Sequence, residues 1–165
     1  MGINVITQPD NFGLGEAASY VTPAQINCLA QDGDIIIDVG YGAGGLDILD
    51  ILTGIGEEEN LQIYLVVNTA KFETSTVDNI IEYVEFTRGT GKFSFTGLIS
   101  NTHFGDETTK EDIINGYNKL KTAAEKLNLP IHAIGVDERL AQEFGLRHDG
   151  VEIWVYKRMM PRAFW

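Results

Sequence analysis

Asp38 closes the apolar run Ile35–Ile37, and Gly40, Gly42, Gly44 and Gly45 follow it closely. A carboxylate at the end of a strand can hold a ribose hydroxyl or a hydrated cation. Glycines beyond it let backbone N–H groups approach a ligand at the carboxyl edge of a sheet. Three chemistries share this spelling. Gly40, Gly42 and Gly45 fit the dinucleotide-binding G-x-G-x-x-G. The stretch from Asp38 to Gly44 fits a methyltransferase glycine loop, which would take S-adenosylmethionine. Apolar-apolar-apolar-Asp-x-Gly also fits a strand whose aspartate, here Asp38, holds Mg²⁺ through water.

The other chemistry-bearing residues are dispersed. His103, His132 and His148 are far apart and lack the paired spacing of metal ligands. His103, in a polar loop after a strand-like run, is the best placed. Glu57, Glu58 and Glu59 read as a solvated turn, and Glu107–Thr109 as the cap of a long helix. Cys28 lies in an apolar helical pattern and reads as core. As the only cysteine it excludes an internal disulfide and a cysteine metal cluster, which suits a reducing cytoplasm.

The elements that must position these groups alternate. Strand-like runs occupy Ile3–Thr7, Asp34–Gly40, Gln62–Asn68, Phe93–Asn101, Ile131–Val136 and Val151–Lys157. Helical patterns occupy 22–31, 44–55, 75–88, 109–128 and 137–145. Val77, Ile80, Ile81 and Val84 form one stripe; Ile113, Tyr117, Leu120, Ala124 and Leu127 form another, after a Thr109/Asp112 capping box. Alternation of this kind implies an α/β fold with a mostly parallel sheet flanked by helices in three layers. No linker or repeat divides the 165 residues, so one domain, 1–165, is expected.

The net charge is −12, unevenly spread. The first basic residue is Lys71, so residues 1–70 carry acids alone. An acidic surface repels nucleic acid and anionic lipid. Phosphate ligands usually need lysine or arginine besides backbone N–H groups, and the half with the glycine loop supplies neither. No apolar run approaches the roughly 20 residues that span a bilayer, and no signal peptide is evident. No nucleic-acid or membrane partner is expected.

Context separates the three spellings. A dinucleotide or methyltransferase fold ends its next strand in an acid for the ribose, whereas Gln62–Asn68 ends in Asn68. The blocks DIIIDVG, LVVNTAKFETSTVDNIIEYVE, FTGLISNTHFGDETTKEDIINGY and KLNLPIHAI, in that order, resemble the MinD/ParA/CobQ-type P-loop NTPases (the SIMIBI class). The resemblance implies Mg-ATP as ligand, with Asp38 on the Mg²⁺ water shell and Gly40 as the glycine that senses the γ-phosphate; Gly42 lies in the same loop. It implies that Asn101 reads adenine through its carboxamide, and that Val136 and Asp137 pack against the base.

The family's opening strand and its Gly-Lys-Thr/Ser loop have no counterpart in this sequence. The expectation is therefore an incomplete P-loop NTPase-like domain, inactive alone as an ATPase. In the family topology the missing strand separates those corresponding to DIIIDVG and QIYLVVN. Altered strand order, or a homo-oligomer or partner chain closing the gap, is expected. The basic-aromatic tail Lys157–Trp165 could dock a partner or fold back on the domain. The alternative function is an enzyme using Gly40–Gly45 for a nucleotide-like cofactor such as S-adenosylmethionine.

Overall fold

The computed structural model describes residues 4–6, 21–40, 42–57, 60–90 and 93–159. The chain divides into two compact units, Met1–Leu61 with Thr90–Phe93 and Gln62–Gly89 with Ser94–Trp165.

The first unit is built from short helical turns. Helix α1 (Pro23–Ile26) starts at a capping box in which Thr22 Oγ1 accepts from Gln25 N at 3.2 Å and Gln25 Oε1 accepts from Thr22 N at 2.9 Å. Pro23 occupies the first turn, where its missing N–H costs nothing. Tight 3₁₀ turns follow at Cys28–Ala30, Gly42–Ile51 and Ile55–Glu57. Cys28, Leu49, Leu52 and Ile55 are buried, so the expectation of a core cysteine holds.

The strand expected at Asp34–Gly40 is not formed among the described residues. There this segment has no ladder partner, and Ile36 is 96% exposed. An apolar run becomes a strand only when another backbone supplies the matching N–H and C=O groups. Residues 4–6 likewise have no ladder partner among the described residues; the rest of Ile3–Thr7 lies outside them.

The second unit carries the sheet. Its strands are β1 (Tyr64–Val67), β2 (Gly97–Ser100), β3 (Ile131–Asp137), β4 (Arg147–His148) and β5 (Val151–Tyr156), in spatial order β1-β2-β3-β5-β4. All neighbours are parallel except the β4–β5 hairpin. Asp149 (φ 50) and Gly150 (φ 80) turn that hairpin, as an Asp-Gly pair does where both central residues need positive φ. The α/β class with a mostly parallel sheet is thus present.

Helix α2 (Val77–Thr90) joins β1 to β2, and α3 (Lys110–Leu127) joins β2 to β3. The Thr109/Asp112 capping box starts α3, and Asn128 in the left-handed region (φ 53) ends it. The α3 stripe buries Ile113, Tyr117, Leu120, Ala124 and Leu127. Ile113 and Tyr117 pack with Ile134, Val136 and Ile153 of the sheet. Both crossovers step the same way across the sheet, so right-handed connections put α2 and α3 on one face. Lys119 Nζ of α3 donates to Ser75 O, just ahead of α2, at 2.9 Å.

On the opposite face Val66 is 55% and Trp154 46% exposed. The third layer expected there has no counterpart among the described residues of this unit. Helix 137–145 shrinks to one 3₁₀ turn, Ala141–Glu143. Asp137 Oδ1 accepts from Arg139 N at 3.0 Å, and Gly145 (φ 67) follows closely.

Candidate functional site

The carboxyl ends of β1, β2, β3 and β5 point the same way, which is where parallel sheets gather their functional loops. Asn101 is the first residue beyond β2, and its N–H continues the ladder to Val67 O at 2.8 Å. Its side chain leans over β3. A Cβ added at Gly135 would meet Asn101 Oδ1 at 2.6 Å and the Tyr156 ring at 3.3 Å. Glycine at 135 is thus what leaves room for this carboxamide. Among the described residues the Asn101 side chain makes no hydrogen bond. A half-buried amide left with its full set of donors and acceptors suits a planar partner with matching groups.

Asn68 ties the loops after β1 and β2 together. Its Oδ1 accepts from Ala70 N at 3.0 Å and from His103 N at 3.2 Å, while its Nδ2 donates to His103 O at 3.4 Å. Beneath it, Thr69 N donates to Thr102 Oγ1 at 3.2 Å, and the two threonine hydroxyls are 3.0 Å apart. Where a ribose-binding strand would end in an acid, the Asn68 carboxamide fixes one loop to the other. An asparagine ending one parallel strand and a His-containing loop ending the next was the available signal.

Gly105 N donates to His103 Nδ1 at 3.4 Å, so the neutral ring carries its proton on Nε2. Burial lowers the His103 pKa, and the charges of Arg158 and Lys71 lower it further. Arg158, beyond β5, pairs with Asp106 in the loop after β2. At the end of β3, Asp137 Oδ1 lies 3.3 Å from Arg139 Nε. Across from it on β5, burial raises the Tyr156 pKa, and the Asp137 charge adds to the rise.

Of the residues singled out from sequence, Asn101 and Asp137 stand at the ends of adjacent strands. Val136 is fully buried in the α3 core, part of the fold rather than of an open surface. Asp38 and Gly40 lie exposed in the first unit, and Gly42 opens the long 3₁₀ turn there. An added Cβ at Gly40 would meet nothing within 4 Å. His132 packs on Gly97 and edge-on to Tyr64, and His148 against Tyr117 and Phe144, both structural placements. Among the described residues no group of three or more His, Cys, Asp or Glu could hold a metal ion. No described helix is long and apolar enough to cross a membrane.

A recess of about 180 Å³ near this edge opens on the α3 face between Thr69, Thr102, Phe104 and Lys119. Its size is below that of ordinary ligand pockets (about 300 Å³ and upward). The Asn101 surface on the opposite face is therefore the better candidate. Compared with protein-family models, curated proteins and solved structures, the chain finds no match.

Proposed function

We propose that this chain is an incomplete nucleotide-binding module of the MinD/ParA/CobQ type, which binds an adenine base at Asn101 and does not hydrolyse ATP by itself. The observation that carries the reading is the Asn101 carboxamide, held over Gly135 at the carboxyl edge with no hydrogen bond of its own among the described residues. Its oxygen and NH₂ complement the acceptor and donor along one edge of adenine. The ordered resemblance of four sequence blocks supports the same reading.

Lack of turnover follows from the phosphate side. The sequence has no Gly-Lys-Thr/Ser loop, and no lysine or arginine precedes Lys71. Phosphoryl transfer depends on such groups to position and neutralise the γ-phosphate.

The sheet's edge supports a further part of the proposal, completion of the sheet by a second copy or a partner chain. Among the described strands β1 pairs on one side only, and the strands step away from it in a single direction. Ligand crevices of open α/β sheets lie where strand order reverses. That reversal belongs at the β1 edge, where a strand from a second copy or a partner chain would complete the sheet. Calorimetric titration with ATP, with and without Mg²⁺, together with a phosphate-release assay tests the proposal. Saturable binding without phosphate release is expected; turnover by the purified chain contradicts it.

A further inference from the structure

Lys71, His103 and Arg158 come from three different loops, after β1, β2 and β5. The Asn68 carboxamide fixes the first loop to the second through two hydrogen bonds, from His103 N at 3.2 Å and to His103 O at 3.4 Å. The third loop is fixed to the second by the Arg158–Asp106 pair. Gly105 lets Arg158 come close: its φ of 63 suits glycine, and an added Cβ would lie 2.8 Å from Arg158 Nη1. From these links we infer that Lys71, His103 and Arg158 form a binding site for a phosphate-type oxyanion at the carboxyl edge of the sheet.

The electrostatics agree with the geometry. Both Lys71 and Arg158 act on the His103 ring through their charges, each in the direction that disfavours its protonation. A cationic cluster of this kind is stabilised by an anion placed among it, and a guanidinium with an imidazole N–H offers directional donors to its oxygens. Asp106 meets the cluster at Arg158 and is largely exposed, so an incoming oxyanion can compete for Arg158. The position is informative because residues 1–70 lack lysine and arginine altogether. The second half of the chain thus supplies an anion site that the glycine-loop half does not.

This site is separate from base reading at Asn101, and the two can fail independently. The oxyanion could be free phosphate or the phosphate of a nucleotide. The test follows the His103 ring signals of the full chain by NMR during titration with inorganic phosphate, AMP and adenosine, at ionic strength matched with chloride. Phosphate and AMP should shift His103, and adenosine should not. Comparable effects of both identify free phosphate as sufficient, and a much stronger effect of AMP identifies a nucleotide-borne phosphate. Arg158→Gln should weaken phosphate binding about tenfold, as loss of a charge-assisted hydrogen bond implies.

Asp106→Asn releases Arg158 from its exposed partner and should strengthen binding about threefold. Because this variant gains binding, its result does not depend on a damaged fold. No His103 response to phosphate or AMP, or equal affinities in wild type, Arg158→Gln and Asp106→Asn, would overturn the inference. Adenosine binding that perturbs Asn101 in that case would leave the base-reading proposal intact.

Discussion

Asn101 Oδ1 lies over Gly135 of the neighbouring strand, so close that a methyl group there would meet it at 2.6 Å. The atom in the way is the far end of a side chain, which can rotate off, whereas the Tyr156 ring at 3.3 Å leaves less room on the other side. Gly135→Ala should therefore displace the carboxamide more than it harms the fold. We expect a stability loss of about 1 kcal/mol in urea unfolding, in the range for mild overpacking. Affinity for adenosine should fall about tenfold or more, the effect of losing hydrogen bonds worth about 1.4 kcal/mol. Undiminished adenosine binding by a folded Gly135→Ala protein would remove Asn101 from the site.

Gly116 behaves differently. A Cβ on this α3 residue would overlap Thr102, whose hydroxyl is already engaged with Thr69. In an open helix, Gly→Ala gains up to about 1 kcal/mol. Here overpacking of about 1–3 kcal/mol opposes that gain. Gly116→Ala should lower the urea midpoint, and Gly116→Ala with Thr102→Ala should recover part of the loss.

These close approaches explain what the sequence could and could not disclose. Helix α3 was readable in full, because its stripe, its Thr109/Asp112 box and its stop at Asn128 are local signals. Strands β3 and β5 were readable from their apolar runs. Asp34–Gly40 has the same kind of run and no strand, since pairing depends on a neighbour the run cannot specify. The β4–β5 hairpin is signalled by Asp149-Gly150, but β4 is only two residues long, too short to show as an apolar run. Asn101 was singled out by resemblance, but its relation to Gly135 depends on the β2–β3 register, which includes a shift between Leu98 and Ile99. The joining of Lys71, His103 and Arg158 depends on tertiary contacts alone.

The exposed edge gives a prediction about assembly. Tyr64 and Val66 face away from α3 on β1, and Val66 is 55% exposed. A lysine on an edge strand opposes addition of another strand. Light scattering should find the wild-type chain as an oligomer and Val66→Lys as a monomer with unchanged circular dichroism. Identical masses for the two would contradict self-association through β1.

His103 gives a pH prediction. Its folded pKa lies below the ordinary 6.5, chiefly through burial and then through the Arg158 and Lys71 charges. The unfolded chain therefore binds more protons in this range, and its contribution to stability is complete above about 6.5. That contribution is lost as pH falls through the lower folded pKa. His103→Asn should lose less stability than wild type between pH 7 and pH 5 in urea unfolding. Equal losses would show that the ring is not held neutral by the fold.

Base reading at Asn101 is the centre of the account, and its side-chain NH₂ resonances report on it directly. During titration of the full chain with adenosine, the Asn101 amide pair should shift saturably, and N6,N6-dimethyladenosine, which has no N6–H to donate to the carboxamide oxygen, should produce a much weaker response. An unmoved Asn101 pair at saturating adenosine, or equal responses to adenosine and N6,N6-dimethyladenosine, would contradict the account.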